Sequence, residues 1–426
     1  MEPITARTGD GMEEAATMRD TSTAAPRWTT RLATYVIGAS LVRLADEGAR
    51  VALVLLVLER TGGAALGGIL VAALLVPHVV AAPAMGRAVD RAVHPSRVLA
   101  AAATAYGAAL GLTPLLVGRA PLAVVLSVLV VGGCCGPALT GGLTSRLADL
   151  VPGRRLPRTY GVDSLTYNVS AVAGPAVAAA IGSLWGAAVA TLVLAACCAA
   201  GAAFVVALPA SPSAERAGRT PSRAAVSGVR AIRGDRVLWT VTAASSLGQL
   251  GPGALPVVVT VLCVDAGAPA AAGWLLAATA VGALFGSLWW TWRPTAGARA
   301  PGTAMWSLVG IGGPVLAAAA TPGSLAVVSA SLVLGGVFRG PFTGALFTTR
   351  HDRAPEGAQA QVFSISAGLK TTAYASGAAL AGLVAHLTTG TQLALVGGSS
   401  VIAAVLGLLG LRTARSAARV PGLPQR

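Results

Sequence analysis

Apolar runs broken by short polar turns recur along the chain, and they predict helices of membrane-crossing length. The runs fall at about 31–58, 64–86, 98–117, 121–146, 163–183, 186–209, 237–263, 268–292, 303–320, 323–348, 360–386 and 391–411. Most approach or exceed the roughly 20 apolar residues that carry a helix across a hydrocarbon core. The pattern predicts an all-α integral membrane protein with twelve transmembrane helices. Between the runs lie polar turns, several rich in arginine, of which Gly86 to Arg97 is the densest, with three arginines and one aspartate.

Counting basic residues by side gives the orientation. With both termini on one face, 25 of the 31 basic residues fall on that face, and only Arg60 and Arg119 fall on the other. Short loops rich in Lys and Arg are retained in the cytoplasm, so both termini are expected there, in a multi-pass protein of the plasma membrane. Composition agrees: 54% of residues are hydrophobic and 11% charged, with a mean hydropathy of +0.72, against roughly 25% charged in soluble domains. The net charge of +15 is spread over short loops, which points to topology and anionic headgroups rather than to nucleic acid. The five cysteines all lie in apolar runs and read as small hydrophobes. Four scattered histidines without a ligand spacing indicate no metal site, and no cofactor is indicated.

The domains read as a polar tail at 1–27, a first bundle of six helices at 28–209, a cytoplasmic linker at 210–236, a second bundle of six at 237–411, and a tail at 412–426. An internal repeat supports two pseudo-symmetric bundles. GPALTGGLTSR (Gly136 to Arg146) aligns with GPFTGALFTTR (Gly340 to Arg350) at an offset of 204. A similar offset sets Asn168 opposite Lys370. Two halves related in this way are a transporter architecture, with substrate bound between them near the midplane.

Gly86, Asp90, Arg91 and Arg97 resemble the loop between helices 2 and 3 of the major facilitator superfamily of secondary transporters, although Val93, His94 and Pro95 depart from the usual pattern. The resemblance implies a latch on the cytoplasmic gate formed by Gly86, Asp90 and Arg91. Asp90 is expected to face the positive end of another helix, and Arg91 to pair with an acid in the other half. Gly174-Pro175 is similar to a helix-5 motif of the proton antiporters in that family, with Ser170, Ala178 and Ala179 where the family has glycines. Arg43-Leu44-Ala45-Asp46, followed by Val51-Ala52-Leu53, resembles helix 1 of its drug-efflux branch.

Four charges stand in the first span: Arg43, Asp46, Glu47 and Arg50. Unpaired at the bilayer centre they would cost on the order of 10–14 kcal/mol together, so they cannot face lipid. Their spacing predicts i,i+4 pairs, Arg43 with Glu47 and Asp46 with Arg50. The cluster is either a structural ion-pair knot or a site where Asp46 or Glu47 takes up the coupling proton. Arg339 and Lys370 are the other charges within spans. They are expected to bind an anionic substrate group or to pair with Asp46 and Glu47 across the cavity, whose polar wall would comprise Arg43, Arg50, Asn168, Arg339 and Lys370.

The functional expectation is proton-coupled export, by a monomeric secondary transporter and not an enzyme, of a small apolar or amphipathic drug-like compound. Uptake of a metabolite by symport, and a polytopic membrane enzyme or receptor without flux, are the alternatives. An enzyme requires a nucleophile and base converging at one interface, and the chain offers no such set.

Overall fold

The computed structural model describes residues 27–61, 64–209, 227–268 and 271–418. The tail expected at 1–27, the linker up to residue 226 and the last residues of the second tail therefore lie outside the described residues, Arg27 excepted. Among the described residues there is no strand. The chain runs through α1 (Arg27–Thr61), α2 (Ala64–Leu75), α3 (Pro77–Arg91), α4 (Pro95–Leu116), α5 (Leu122–Pro137), α6 (Leu156–Trp185) and α7 (Ala187–Val206). From residue 227 onward come α8 (Gly228–Gly234), α9 (Arg236–Leu247), α10 (Leu250–Asp265), α11 (Ala271–Trp292), α12 (Ala300–Ala318), α13 (Leu325–Val337), α14 (Arg339–Arg353), α15 (Gln359–Leu383) and α16 (Thr389–Ala418).

Several of these helices are consecutive pieces of one rod, and prolines explain the breaks. Proline cannot donate to the carbonyl four residues back, and Pro77, Pro252 and Pro341 stand just after the breaks between α2 and α3, α9 and α10, and α13 and α14. The carbonyl that Pro252 frees, at Gly248, instead accepts from the Ser400 hydroxyl at 3.4 Å. Past Pro137, residues Ala138–Gly142 widen into a π-helical turn, a local distortion frequent at functional sites.

Among the described residues, nine rods are long and apolar enough to cross a membrane. Helices α1, α12 and α15, of 35, 19 and 25 residues, are not among them; in α1 the cause is its charges. The expected helix limits hold to within about four residues, except that α3, α6, α14 and α16 run further. The segment 228–234, expected as linker, is helical, and its Gly228 amide donates to the Gln361 side chain at 3.0 Å.

Turn chemistry matches local need. Gly118 (φ +77°) and Gly186 (φ +89°) take left-handed conformations at the α4–α5 and α6–α7 turns. At the second turn the Glu59 carboxylate accepts from the Ala187 amide at 2.8 and 3.0 Å, supplying an acceptor and a negative charge to an open helix N-terminus.

The buried core divides by sequence. One large cluster draws on residues 35–208, joined only by Phe347, Ala360 and Phe363 from later in the chain. Three smaller clusters draw on residues 231–411. The two sets meet at the arginine-rich end, where α15 packs on α3 and α6 packs on α11 and α14.

Candidate functional site

The charged face of α1 is the centre of the site. Arg50 bonds both acids beside it, Glu47 at 2.7 Å and Asp46 at 3.5 Å. Asp46, 4% exposed, also accepts from the Tyr106 hydroxyl at 2.7 Å. The expected Asp46–Arg50 pair is present; the expected Arg43–Glu47 pair is not. Arg43 turns to the Asp163 carboxylate on α6, at 2.6 Å, with both side chains buried. The same carboxylate accepts from the Tyr35 hydroxyl at 2.7 Å and the Thr144 hydroxyl at 2.8 Å. Arg43 also donates to Thr144 at 3.0 Å and to Thr166, and it lies over the Tyr167 ring at 3.7 Å from the centroid. The preference is physical: Asp163 arrives with two hydroxyl donors already aimed at it, and a buried charge pair survives only where its remaining lone pairs are also satisfied.

The consequence is a division of charge. Arg43 and Asp163 neutralise each other, leaving Asp46, Glu47 and Arg50 as two carboxylates sharing one guanidinium, with a surplus of one negative charge. Glu47 is the more open of the two acids, with its side chain 26% exposed against 6% for Asp46. His78, buried and within electrostatic reach of Asp46 and Arg50, packs its ring on Gly136 and engages the Leu74 carbonyl at 3.1 Å through Nδ1.

Asp163 was not legible as a site residue, because the apolar pattern puts the start of its span at residue 163. The helix begins at Leu156, so Asp163 stands two turns inside and is the one acid of α6. A lone carboxylate in a long apolar helix was the available signal.

Gly174 belongs to this site. A Cβ there would lie 2.7 Å from the Leu44 carbonyl and 2.8 Å from the Gly48 amide, and one on Gly48 would lie 2.9 Å from the Gly174 carbonyl. The Gly174-Pro175 motif is thus the place where α6 and α1 touch backbone to backbone, one residue from Glu47.

The second constellation closes the arginine-rich end. Asp90 sets its two carboxylate oxygens on the first amides of α15, Ala360 at 2.8 Å and Gln361 at 3.0 Å, the helix end that its sequence pattern calls for. Gly86 lets α3 lie against the backbone of Gln361 with no room for a Cβ. Arg91 departs from expectation: it is exposed and forms no ion pair among the described residues. Further bonds cross the same junction. Trp290 donates to the Pro157 carbonyl at 3.0 Å, Ser164 meets Ser287 at 3.0 Å, and Asn168 donates to Ser287 at 2.8 Å. Asn168, expected on a cavity wall, is therefore engaged in closing α6 onto α11. Tyr160, Phe347 and Phe363 form an aromatic cluster beside it, with centroids 5.7–6.3 Å apart.

Arg339 and Lys370 form a third group. Arg339 opens α14 in the middle of the rod Leu325–Arg353, and the side chain of neither residue forms a hydrogen bond or ion pair among the described residues. Lys370 Nζ stands 5.9 Å from the centroid of the Phe342 ring. Neither pairs with Asp46 or Glu47, whose partners are Arg50 and Tyr106. Each uncompensated charge at mid-bilayer costs about 2.5–3.5 kcal/mol on insertion scales. Among the described residues no group of three or more His, Cys, Asp or Glu is placed to hold a metal ion.

Apolar rods enclosing paired charges, with residues from distant parts of the chain clasped at one end, define a multi-pass membrane protein of the transporter class. Residues 35–262 match the family model described as Major Facilitator Superfamily. An MFS-type transporter of Sinorhizobium fredii (strain NBRC 101917 / NGR234), y4rN, is 30% identical over 394 residues, covering 88% of this chain and 94% of that protein. The chain belongs to the Major Facilitator Superfamily. Its fold is shared with a bacterial homologue of the iron transporter ferroportin in its outward-facing state (TM-score 0.68, 18% identity, 91% of this chain and 99% of that one). It is shared also with the human organic anion transporter MFSD10 (0.70, 16%, 90% and 100%) and the E. coli fucose:proton symporter (0.70, 13%, 90% and 99%). At these identities the likeness is one of fold alone.

Proposed function

We propose that the chain is a proton-coupled exporter of small apolar or amphipathic compounds, of the drug-efflux kind. In this reading α1, α12 and α15 also cross the bilayer, which makes twelve spans in two bundles of six at 28–209 and 237–411. Both termini and the arginine-rich loops are cytoplasmic, and the bundles rock about a site near the midplane in a plasma membrane. The clasp of Asp90 on α15 then belongs to the outward-facing state, with the cytoplasmic gate shut.

The observation that carries proton coupling is the triad of Asp46, Glu47 and Arg50. Two carboxylates on one guanidinium leave a single negative charge, and one proton brings the group to neutrality. Glu47 is the acceptor in this mechanism, since it is the more exposed acid and, among the described residues, lacks the hydroxyl donor that Tyr106 gives Asp46. Protonating it frees Arg50 to bind Asp46 alone, and the motion is passed to α6 through the Gly48–Gly174 contact. The close-packed Gly174-Pro175 supports export, as do cavity-side helices rich in Ala, Gly, Val and Leu.

The test is transport by the purified chain in proteoliposomes under an imposed pH gradient, with neutral, cationic and anionic fluorescent amphiphiles. Export predicts substrate movement against the proton flow, abolished by a protonophore. Movement with the protons would reassign the chain as a symporter. No gradient-dependent movement of any probe would remove the coupling.

A further inference from the structure

The charges of the two halves of the chain are handled in opposite ways. Before residue 209, Arg43 and Arg50 each meet an acid. After residue 227 the acids are Asp235, Asp265, Asp352 and Glu356, all in turns or at helix ends. Among the described residues, the interior cations Arg339, Arg350 and Lys370 form an ion pair with none of them. Arg350 is buried and finds the Ser245 hydroxyl at 3.2 Å.

Two of these cations converge. Arg339 and Phe342 are one turn apart on the same face of α14, Lys370 approaches the Phe342 ring from α15, and Lys370 lies within electrostatic reach of Arg339 and Arg350. Arg339 also borders a narrow cavity with room for about a water molecule, and Lys370 is not part of its wall. Thr279, Ser400, Leu255, Ile311 and Leu332 share its wall, and none of its lining residues is acidic. The Thr279 hydroxyl is buried there without a partner. Tyr374 lies within reach of both Arg339 and, on α1, Arg50. Like charges gathered in a low-dielectric interior repel one another and await a counter-charge, and a free hydroxyl beside a guanidinium is a donor for it.

We propose that Arg339 and Lys370 form an anion site that holds the negatively charged group of the transported compound. The inference rests on the export reading and gives its substrate a class: an amphipathic organic anion bearing a carboxylate or comparable oxyanion. Thr279 donates to the anionic group, and the narrow apolar cavity beside Arg339 widens to take the body of the compound. Because the site is not in contact with Glu47, proton and substrate occupy different halves, and binding needs no proton gradient.

Equilibrium binding to the purified full-length chain in detergent tests this, with benzoate as the probe, benzamide as its neutral isostere and chloride as the inorganic source of the same charge. Tryptophan fluorescence and thermal unfolding report binding. Benzoate is expected to bind and benzamide not to. R339Q and K370Q should each weaken benzoate by at least about tenfold, the loss of one charge-assisted contact, while R339K, which keeps the charge and the fold, retains most of the binding. Equal binding of benzamide, or unchanged binding in K370Q and R339Q, overturns the site. Chloride displacing benzoate at equal concentration overturns its assignment to an organic substrate. The outcome is independent of flux: gradient-driven export of neutral dyes with no benzoate binding sinks this site alone, and benzoate binding without gradient-driven flux sinks the export reading alone.

Discussion

Replacing Asp90 by asparagine tests the clasp at the arginine-rich end with little change of shape. In the structure each carboxylate oxygen accepts from one amide at the start of α15, at 2.8 and 3.0 Å. Asparagine retains one acceptor and turns an N–H₂ toward the other amide, so one charge-assisted hydrogen bond is lost, worth about 1.5–3 kcal/mol. The favourable placement of a negative charge at a helix N-terminus goes as well, about 0.3–1 kcal/mol. When the gate opens the carboxylate is hydrated in either protein, so the loss falls on the closed state: roughly 2–4 kcal/mol in total. At 1.4 kcal/mol per factor of ten, that multiplies the open-to-closed ratio by about 30 to several hundred. Spin labels at Val93 and Glu356, both exposed at the arginine-rich end, resolve the two populations by double electron–electron resonance. D90N is predicted to move weight from the short to the long distance. G86A should do the same by a different route, since its Cβ would press on the backbone of Gln361. A D90N distribution whose open-to-closed ratio stays within about threefold of wild type would refute the reasoning.

Three further outcomes follow from the geometry. R43Q leaves Asp163 buried without its cation and should cost about 3–5 kcal/mol, read as loss of monodisperse protein on fluorescence-detected size exclusion. The double variant R43Q/D163N should recover part of that loss, whereas additive losses would show that the two residues do not act as a pair. G174A sets about 1 kcal/mol of gained helix propensity against about 1–3 kcal/mol of overpacking on α1, so it should lower the thermal midpoint and slow transport, and an unchanged midpoint would count against the close contact. E59Q weakens the carboxylate on the α7 N-terminus and should cost about 0.5–2 kcal/mol, measurable as a lower midpoint with transport rate preserved.

What the sequence revealed and what it hid divide along physical lines. Apolar runs and arginine-rich turns are local properties, so most helix limits could be placed to within a few residues, although the early start of α6 at Leu156 could not. Asp90 could be read as a helix-end ligand because its loop resembles the gate motif of the family, although an acid between Arg87 and Arg91 could equally have paired with them. Pairing across the fold is not local. Arg43 has Glu47 one turn away on its own helix, yet its partner is Asp163, 120 residues distant, and no periodicity announces that choice. Asn168 looked like a cavity residue because it is polar in an apolar helix; Ser287, which claims it, is an ordinary serine in α11. The π-helical turn at Ala138–Gly142 was likewise hidden, although the glycines, threonine and proline of the repeat GPALTGGLTSR marked the place. Arg339 and Lys370 were visible as charges within spans, but that they converge without an acid near them could be seen only once α14 and α15 were packed.

The proposed proton site at Asp46, Glu47 and Arg50 is tested most directly by measuring, in the same proteoliposomes, proton movement and substrate efflux for the wild type, D46N and E47Q. The account predicts that E47Q, still folded and still able to bind substrate, loses both proton movement and gradient-driven efflux, while D46N retains a reduced, still coupled flux. Wild-type proton-coupled efflux by E47Q would contradict it.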